Sequence, residues 1–298
     1  MDGQAVEPIT EAPRARRFPL PSRGGEIAAL EFGPADRPLD ILFCHANGFN
    51  ALTYRSILAP LEGLRILAID LRGHGATTLP TPIEDRNGWK IYRDDILALL
   101  PIVAEAPVVM AGHSMGGASS LLAAAAAPEK VRSLVLFDPV LMPDALSAAA
   151  APSAVAQSPM VQGALRRRAT FADKAAAFAA YRGRGAFATW SEAQLADYVE
   201  AGFVATDDGQ VTLACAPAWE ASNFASYDPD IYPALVAEPC PIRILRAETG
   251  STCRIEDRLP DLTASGRVRV ETVAGTSHFL PMERPDLVRQ ALWAVAQV

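Results

Sequence analysis

Short apolar runs punctuate this sequence at intervals. They fall at 26–32 (EIAALEF), 39–44 (LDILFC), 64–70 (LRILAID), 108–112 (VVMAG), 131–138 (VRSLVLFD), 242–246 (IRILR) and 268–273 (VRVETV). Continuous runs rich in Val, Ile and Leu predict strands buried on both faces of a parallel sheet. The segments between them carry helical spacing. In 90–103, Ile91, Ile96, Leu99, Leu100 and Val103 make a one-sided apolar face. Segment 115–127 is small and apolar all round, as a helix buried against a sheet requires. Segment 285–298 opens on Pro285 and places Leu287, Val288, Leu292 and Val295 along one helix. This alternation predicts the α/β class, a mostly parallel doubly wound sheet with helices on both faces.

The rhythm changes from 139 to 238. Alanine dominates, several arginines appear, and only 209–213 offers a short strand. Helices are expected at about 154–168, 171–181 and 192–202. A structureless stretch of this length would be unusual in a compact domain, so a helical cap inserted after the sixth core strand is the simplest account. The expected division is core 1–138, cap 139–238 and core again 239–298.

Composition narrows the partners. The chain has 298 residues, half of them hydrophobic, enough for a well-buried core. Its net charge of −7 argues against a nucleic-acid partner, whose phosphates call for a basic surface. Arg14, Arg16 and Arg17 read as a solvated strand edge. The opening MDGQAVEPITEAPRARR carries Asp2, Glu7 and Glu11 and lacks the apolar stretch of a signal peptide. No run approaches the roughly 18 apolar residues that span a bilayer. Cys44, Cys215, Cys240 and Cys253 are scattered without paired spacing, as expected of free thiols in a reducing cytoplasm. A soluble, cytoplasmic protein without metal or cofactor is expected. Its partner would be a small molecule, and a homodimer stays open.

The chemistry centres on VVMAGHSMGG, 108–117. A strand runs into Gly112-His113-Ser114-Met115-Gly116, and a small-residue helix begins at once. A strained turn of this kind lifts a serine hydroxyl above the sheet edge. The helix that follows directs its free N–H groups and dipole at the reacting oxygen. Side chains at Gly112 or Gly116 would collide with neighbouring backbone. A serine also needs a base, because its free hydroxyl does not ionise near neutral pH.

Four motifs occur in order: FCHANGF (43–49), AIDLRGHGAT (68–77), AGHSMGG (111–117) and GTSHFLPMERPD (275–286). With them the chain resembles the α/β-hydrolase superfamily from about residue 25 onward. Within it, the chain is similar to the cap-containing branch of esterases, haloalkane dehalogenases and epoxide hydrolases. The resemblance implies Ser114 as nucleophile and His278 as base. The other histidines, His45, His74 and His113, take loop-shaping roles, and so does Asp70. For the acid it implies Asp138, at the end of the sixth strand, ahead of Glu248 after the seventh, where Gly250 occupies the usual acid position. The oxyanion hole would be the backbone N–H groups of Met115 and Asn47, with Ala46 replacing a usual glycine. Ser114 and Met115 stand where dehalogenases carry Asp and Trp, which disfavours dehalogenation; epoxide hydrolysis fails on the same missing Asp.

The implied activity is hydrolysis of carboxylic esters with small to medium apolar groups, through an acyl-enzyme. Lactones, amides, thioesters and C–C bonds remain alternatives, as do a non-hydrolytic enzyme on the same scaffold and a ligand-binding protein on the hydrolase fold. Trp190, Trp219, Phe224, Tyr227, Phe49 and Trp89 are candidates to line an apolar pocket or to pack cap on core.

Overall fold

The computed structural model describes residues 12–84, 88–142 and 155–296. Eleven strands are defined among them: β1 (Arg14–Leu20), β2 (Gly25–Phe32), β3 (Ile41–Cys44), β4 (Ile66–Ile69), β5 (Val108–His113), β6 (Val131–Phe137), β7 (Thr170–Phe171), β8 (Phe203–Ala205), β9 (Val211–Leu213), β10 (Ile242–Ala247) and β11 (Val268–Val273). Eight form one sheet in the order β1-β2-β4-β3-β5-β6-β10-β11. β2 runs antiparallel to β1 and β4, and the pairs from β4 through β11 are parallel.

Both faces of the sheet are covered, and the strand period shows it. Leu42 and Cys44 of β3 enter the hydrophobic cluster that includes helices α2 (Lys90–Val103) and α3 (Met115–Ala126). Ile41 and Phe43 enter a second cluster, which includes α1 (Arg55–Leu58) and the C-terminal helix. Successive side chains of a strand point to opposite faces, so four apolar residues in a row require two cores. The seven expected strands are all present, their ends moved by at most two residues. β1 joins them as an edge strand, paired on one side only, with Arg14 and Arg16 reaching Glu31 of β2.

The segment between β6 and β10 holds α4 (Pro159–Leu165), α5 (Lys174–Tyr181), α6 (Glu192–Gly202), α7 (Pro217–Phe224) and α8 (Ile231–Val236). Beside these helices, β7, β9 and β8 form a three-stranded antiparallel sheet; β9 falls within the short strand expected at 209–213, whereas β7 and β8 were not expected. The helix expected from 171 starts at Lys174, because Asp173 caps it through the Ala176 N–H. Thr170 and Phe171, of high strand propensity, pair with β9 instead. The helix expected over 154–168 shortens to α4 with Ser158 as its cap; its first residue lies outside the described residues. α6 matches its expected span and starts with a reciprocal capping box, Ser191 with Gln194. After β10 come α9 (Leu259–Thr263), α10 (Leu280–Glu283) and α11 (Pro285–Ala296). Parallel strands direct their carboxyl ends to one edge, so the loops after β3, β5, β6, β10 and β11 gather there. No helix among the described residues is long and apolar enough to cross a membrane.

Candidate active site

Ser114 sits between β5 and α3 at φ +54° and ψ −121°, a strained region for a residue with a side chain. Its N–H is tied to Phe137 O at 3.0 Å, which holds the turn against β6. The flanking glycines are required by close approach. A Cβ on Gly112 would lie 2.5 Å from the carbonyl carbon of Gly116, and one on Gly116 only 2.3 Å from Cys44 O.

His278 follows β11 and places Nε2 3.0 Å from Ser114 Oγ, with Nδ1 2.6 Å from Asp138 Oδ2. A carboxylate only accepts, so Nδ1 carries the proton and Nε2 is free to accept from the serine hydroxyl. Asp138, just past β6, is fully buried. Its Oδ1 accepts from Ala247 N–H at 2.8 Å and Ser251 Oγ at 2.5 Å; its Oδ2 also accepts from Thr252 N–H at 3.0 Å. Burial alone would raise its pKa. The His278, Ser251 and Ala247 donors outweigh burial and hold the carboxyl below its ordinary value. Glu248, exposed, accepts from Gly275 N–H at 2.9 Å and braces that loop instead.

The N–H groups of Asn47 and Met115 make no hydrogen bond among the described residues, and both residues line one cavity with Ser114 and His278. The Asn47 side chain is engaged elsewhere: Nδ2 donates to Glu220 O at 3.1 Å, and Oδ1 accepts from Asn223 Nδ2 at 2.7 Å. That ties the loop after β3 to α7. His45 and His74 accept the N–H groups of Leu71 and Gly48 at 2.9 Å each, and so shape the loops in which they lie. Asp70 accepts from Ala51 and Ala76 N–H groups at 2.8 and 2.9 Å, bracing the same rim, and its burial pushes its carboxyl up to about 6.

The cavity has a volume of about 450 Å³ and a mainly apolar lining. Phe49, Trp89, Phe224 and Tyr227 line it as expected, whereas Trp190 and Trp219 do not. Trp190 packs edge-on against Phe49 at 5.2 Å, and Trp219 donates to Arg72 O at 3.0 Å. Phe187 and Phe279 line the wall instead. Sequence reading also missed Arg167, the one Lys or Arg among the described lining residues. Its Nη1 meets Glu220 Oε2 at 2.9 Å, and its Nη2 donates to the hydroxyls of Tyr198 and, at 3.5 Å, Tyr181. Burial works against its charge, but Tyr198 and Glu220 outweigh it and raise its pKa. The run LRRRATF showed three arginines in a row; which one turns inward depends on helix phase at the end of α4. All four cysteines are free and buried. Among the described residues no group of three or more His, Cys, Asp or Glu could hold a metal ion.

The sheet order, the strained serine turn and the serine–histidine–aspartate contacts define the class: an α/β-hydrolase fold with its polar site on the carboxyl edge of the sheet. The sequence profile of the alpha/beta hydrolase family matches residues 41–291, and the chain belongs to that family. It is 26% identical over 264 residues to 2-(acetamidomethylene)succinate hydrolase of Mesorhizobium japonicum, covering 85% of this chain and 86% of that one. An esterase of Mycobacterium tuberculosis is 36% identical over 126 residues, 40% of each chain. The crystal structure of E-2-(acetamidomethylene)succinate hydrolase superposes with a TM-score of 0.78 at 23% identity, covering 96% of this chain and 100% of that chain.

Proposed function

We propose that this protein is a serine hydrolase that cleaves carboxylic esters through an acyl-enzyme, and that residues 139–238 serve as its cap. The observation that carries the reading is the unbroken contact line Ser114 Oγ to His278 Nε2 to Asp138, at 3.0 and 2.6 Å, opening into a mostly apolar cavity. Ser114 attacks the carbonyl carbon while His278 takes its proton. Asp138, held ionised, fixes the ring tautomer and stabilises the imidazolium. The negative oxygen that develops is received by the Asn47 and Met115 N–H groups. His278 then protonates the departing alcohol, and a water activated by the same ring releases the acid.

A second reading, hydrolysis of an amide or ester that carries a carboxylate, is favoured by Arg167 in the cavity wall. The relative from Mesorhizobium japonicum is named for a succinate, a dicarboxylate. Arg167 is already paired with Glu220, so the wall is close to neutral, and the apolar ester reading stands first.

One substrate panel tests both. Wild type and Ser114→Ala are compared on p-nitrophenyl acetate, butyrate, octanoate and hemisuccinate. The expected result is turnover by wild type, best on the neutral esters, and a loss of about 10⁴-fold or more in the variant. Preference for the hemisuccinate would favour the second reading. Equal turnover by both proteins would refute the acyl-enzyme.

A further inference from the structure

His113 immediately precedes the nucleophile, and its ring is completely buried together with that of Tyr54. Its Nε2 lies 2.8 Å from the backbone oxygen of His278, and its Nδ1 lies 2.7 Å from the Tyr54 hydroxyl. A carbonyl oxygen only accepts, so Nε2 carries the proton and donates it to His278 O. Nδ1 therefore accepts from Tyr54 O–H. The Tyr54 oxygen in turn accepts the Ala46 N–H at 3.2 Å, one residue before the Asn47 donor. Each group has one role, and the assignment of every hydrogen along the line is forced by its neighbour.

We infer that Tyr54 and His113 form a positioning relay, which sets the loop carrying the His278 base against the nucleophile turn and the oxyanion loop. This rests on the serine-hydrolase reading above. The three loops follow different strands: β3 for Ala46 and Asn47, β5 for Ser114, and β11 for His278. The relay crosses from the first to the last through two rigid aromatic rings, and it meets His278 at its own backbone. A shift of that carbonyl carries the imidazole with it, and with it the 3.0 Å contact to Ser114 Oγ. Burial and the proximity of His278 push the His113 pKa down to about 3, against the opposing pull of the His278 carbonyl and Asp138. The ring is thus neutral in the working range and can hold one donor and one acceptor at once. A charged ring would donate from both nitrogens and leave the Tyr54 hydroxyl no acceptor there. His113 borders the cavity and its ring packs 5.0 Å from that of His278, but its hydrogen bonds go to Tyr54 and the His278 carbonyl, so it acts through His278.

The test uses the full-length protein as wild type, Tyr54→Phe, His113→Phe, His113→Gln and the Tyr54→Phe/His113→Phe double variant. Two quantities are read for each: kcat and KM on p-nitrophenyl butyrate, and the rate of covalent labelling by a fluorophosphonate with the final labelled fraction. The labelled fraction counts folded sites, so loss of fold is separated from loss of rate. His113→Phe should lower kcat and the labelling rate together by about 10²-fold, the effect of a base displaced by about 1 Å, with KM nearly unchanged. His113→Gln, whose amide still donates to His278 O, should recover to within about tenfold of wild type. The double variant should be no slower than His113→Phe alone, because the two residues act as one line. Wild-type rates per labelled site in His113→Phe, or fully additive losses in the double variant, would overturn the relay. Should His113→Phe fail to fold, Tyr54→Phe and His113→Gln give the same comparison. Should wild type show neither turnover nor labelling, the hydrolase reading falls by itself. The relay is then decided by crystal structures of wild type and Tyr54→Phe: a displaced His278 loop supports it, and an unmoved one overturns it.

Discussion

The backbone of Ser114 is held at φ +54° and that of Asp138 at φ +40°, both in the left-handed region that side chains avoid. Such positions cost about 1–3 kcal/mol each and persist where the surroundings over-determine them. Here both strained residues aim their side chains at one imidazole. Asp138 has four donors around its carboxylate, whereas Glu248 is exposed and spends its carboxylate on the Gly275 N–H. Asp138→Asn should therefore lower kcat by about 10⁴-fold through the wrong ring tautomer, while Glu248→Gln stays within a few-fold of wild type. Steady-state kinetics of the two variants decides between them. Because Asp138 is held below the ordinary carboxyl value, it stays charged as the base protonates. The acid limb of log kcat/KM should thus have a slope of one, not two. That Ser114 and His278 meet was legible because each lies in a motif whose residue order carries its geometry. The choice between two acids was not. The sequence offered Asp138 at one strand end and Glu248 near another, and what distinguishes the two is spatial: His278 Nδ1 reaches Asp138 at 2.6 Å, with Ser251 and Thr252 packed around the same carboxylate. The role of His113 was hidden for the same reason: its partners, Tyr54 and the His278 carbonyl, are far away in sequence and one of them is backbone.

At the scale of elements, the sheet could be read because buried strands need unbroken apolar runs, and ILFC and ILAI supply two faces with four residues each. β7, β8 and β9 have only two or three residues apiece. Segments that short leave little period to detect; β9 fell within the short strand expected at 209–213, and its pairing with both neighbours makes strands of β7 and β8. Elements are also fastened by charge. Asp95 of α2 is nearly buried and accepts from Arg72 Nε and Nη2 at 2.7 and 2.6 Å and from Arg23 Nε at 2.7 Å. It joins the helix to the loop after β4 and to the β1–β2 turn. Removing one member of a buried pair leaves the other uncompensated, at a cost of about 3–5 kcal/mol. Asp95→Asn should lower the urea midpoint by a corresponding amount with an unchanged slope. Little change in the midpoint would mean that water replaces the carboxylate there.

Across the whole molecule, the site is a joint product of the carboxyl edge of the sheet and the segment between β6 and β10. The sheet edge supplies Ser114, Asp138 and His278. The inserted segment supplies Phe187, Tyr198, Arg167 and Phe224 along the cavity. The residues of the proposed triad were therefore more legible in the sequence than those of the cavity wall. Motifs encode the first set at fixed spacing, while the second is drawn from several helices whose relative placement depends on tertiary packing. Apolar lining suits neutral acyl groups, and one arginine balanced by Glu220 leaves no strong net charge in the wall.

On the proposed mechanism Ser114 is acylated with His278 as its base. It is tested most directly by treating wild type, Ser114→Ala and His278→Ala with a fluorophosphonate, followed by peptide mass spectrometry. One adduct is expected, on the peptide containing Ser114, formed rapidly in wild type, absent in Ser114→Ala and slowed by orders of magnitude in His278→Ala. An adduct on another residue, or equal labelling of wild type and His278→Ala, would contradict it.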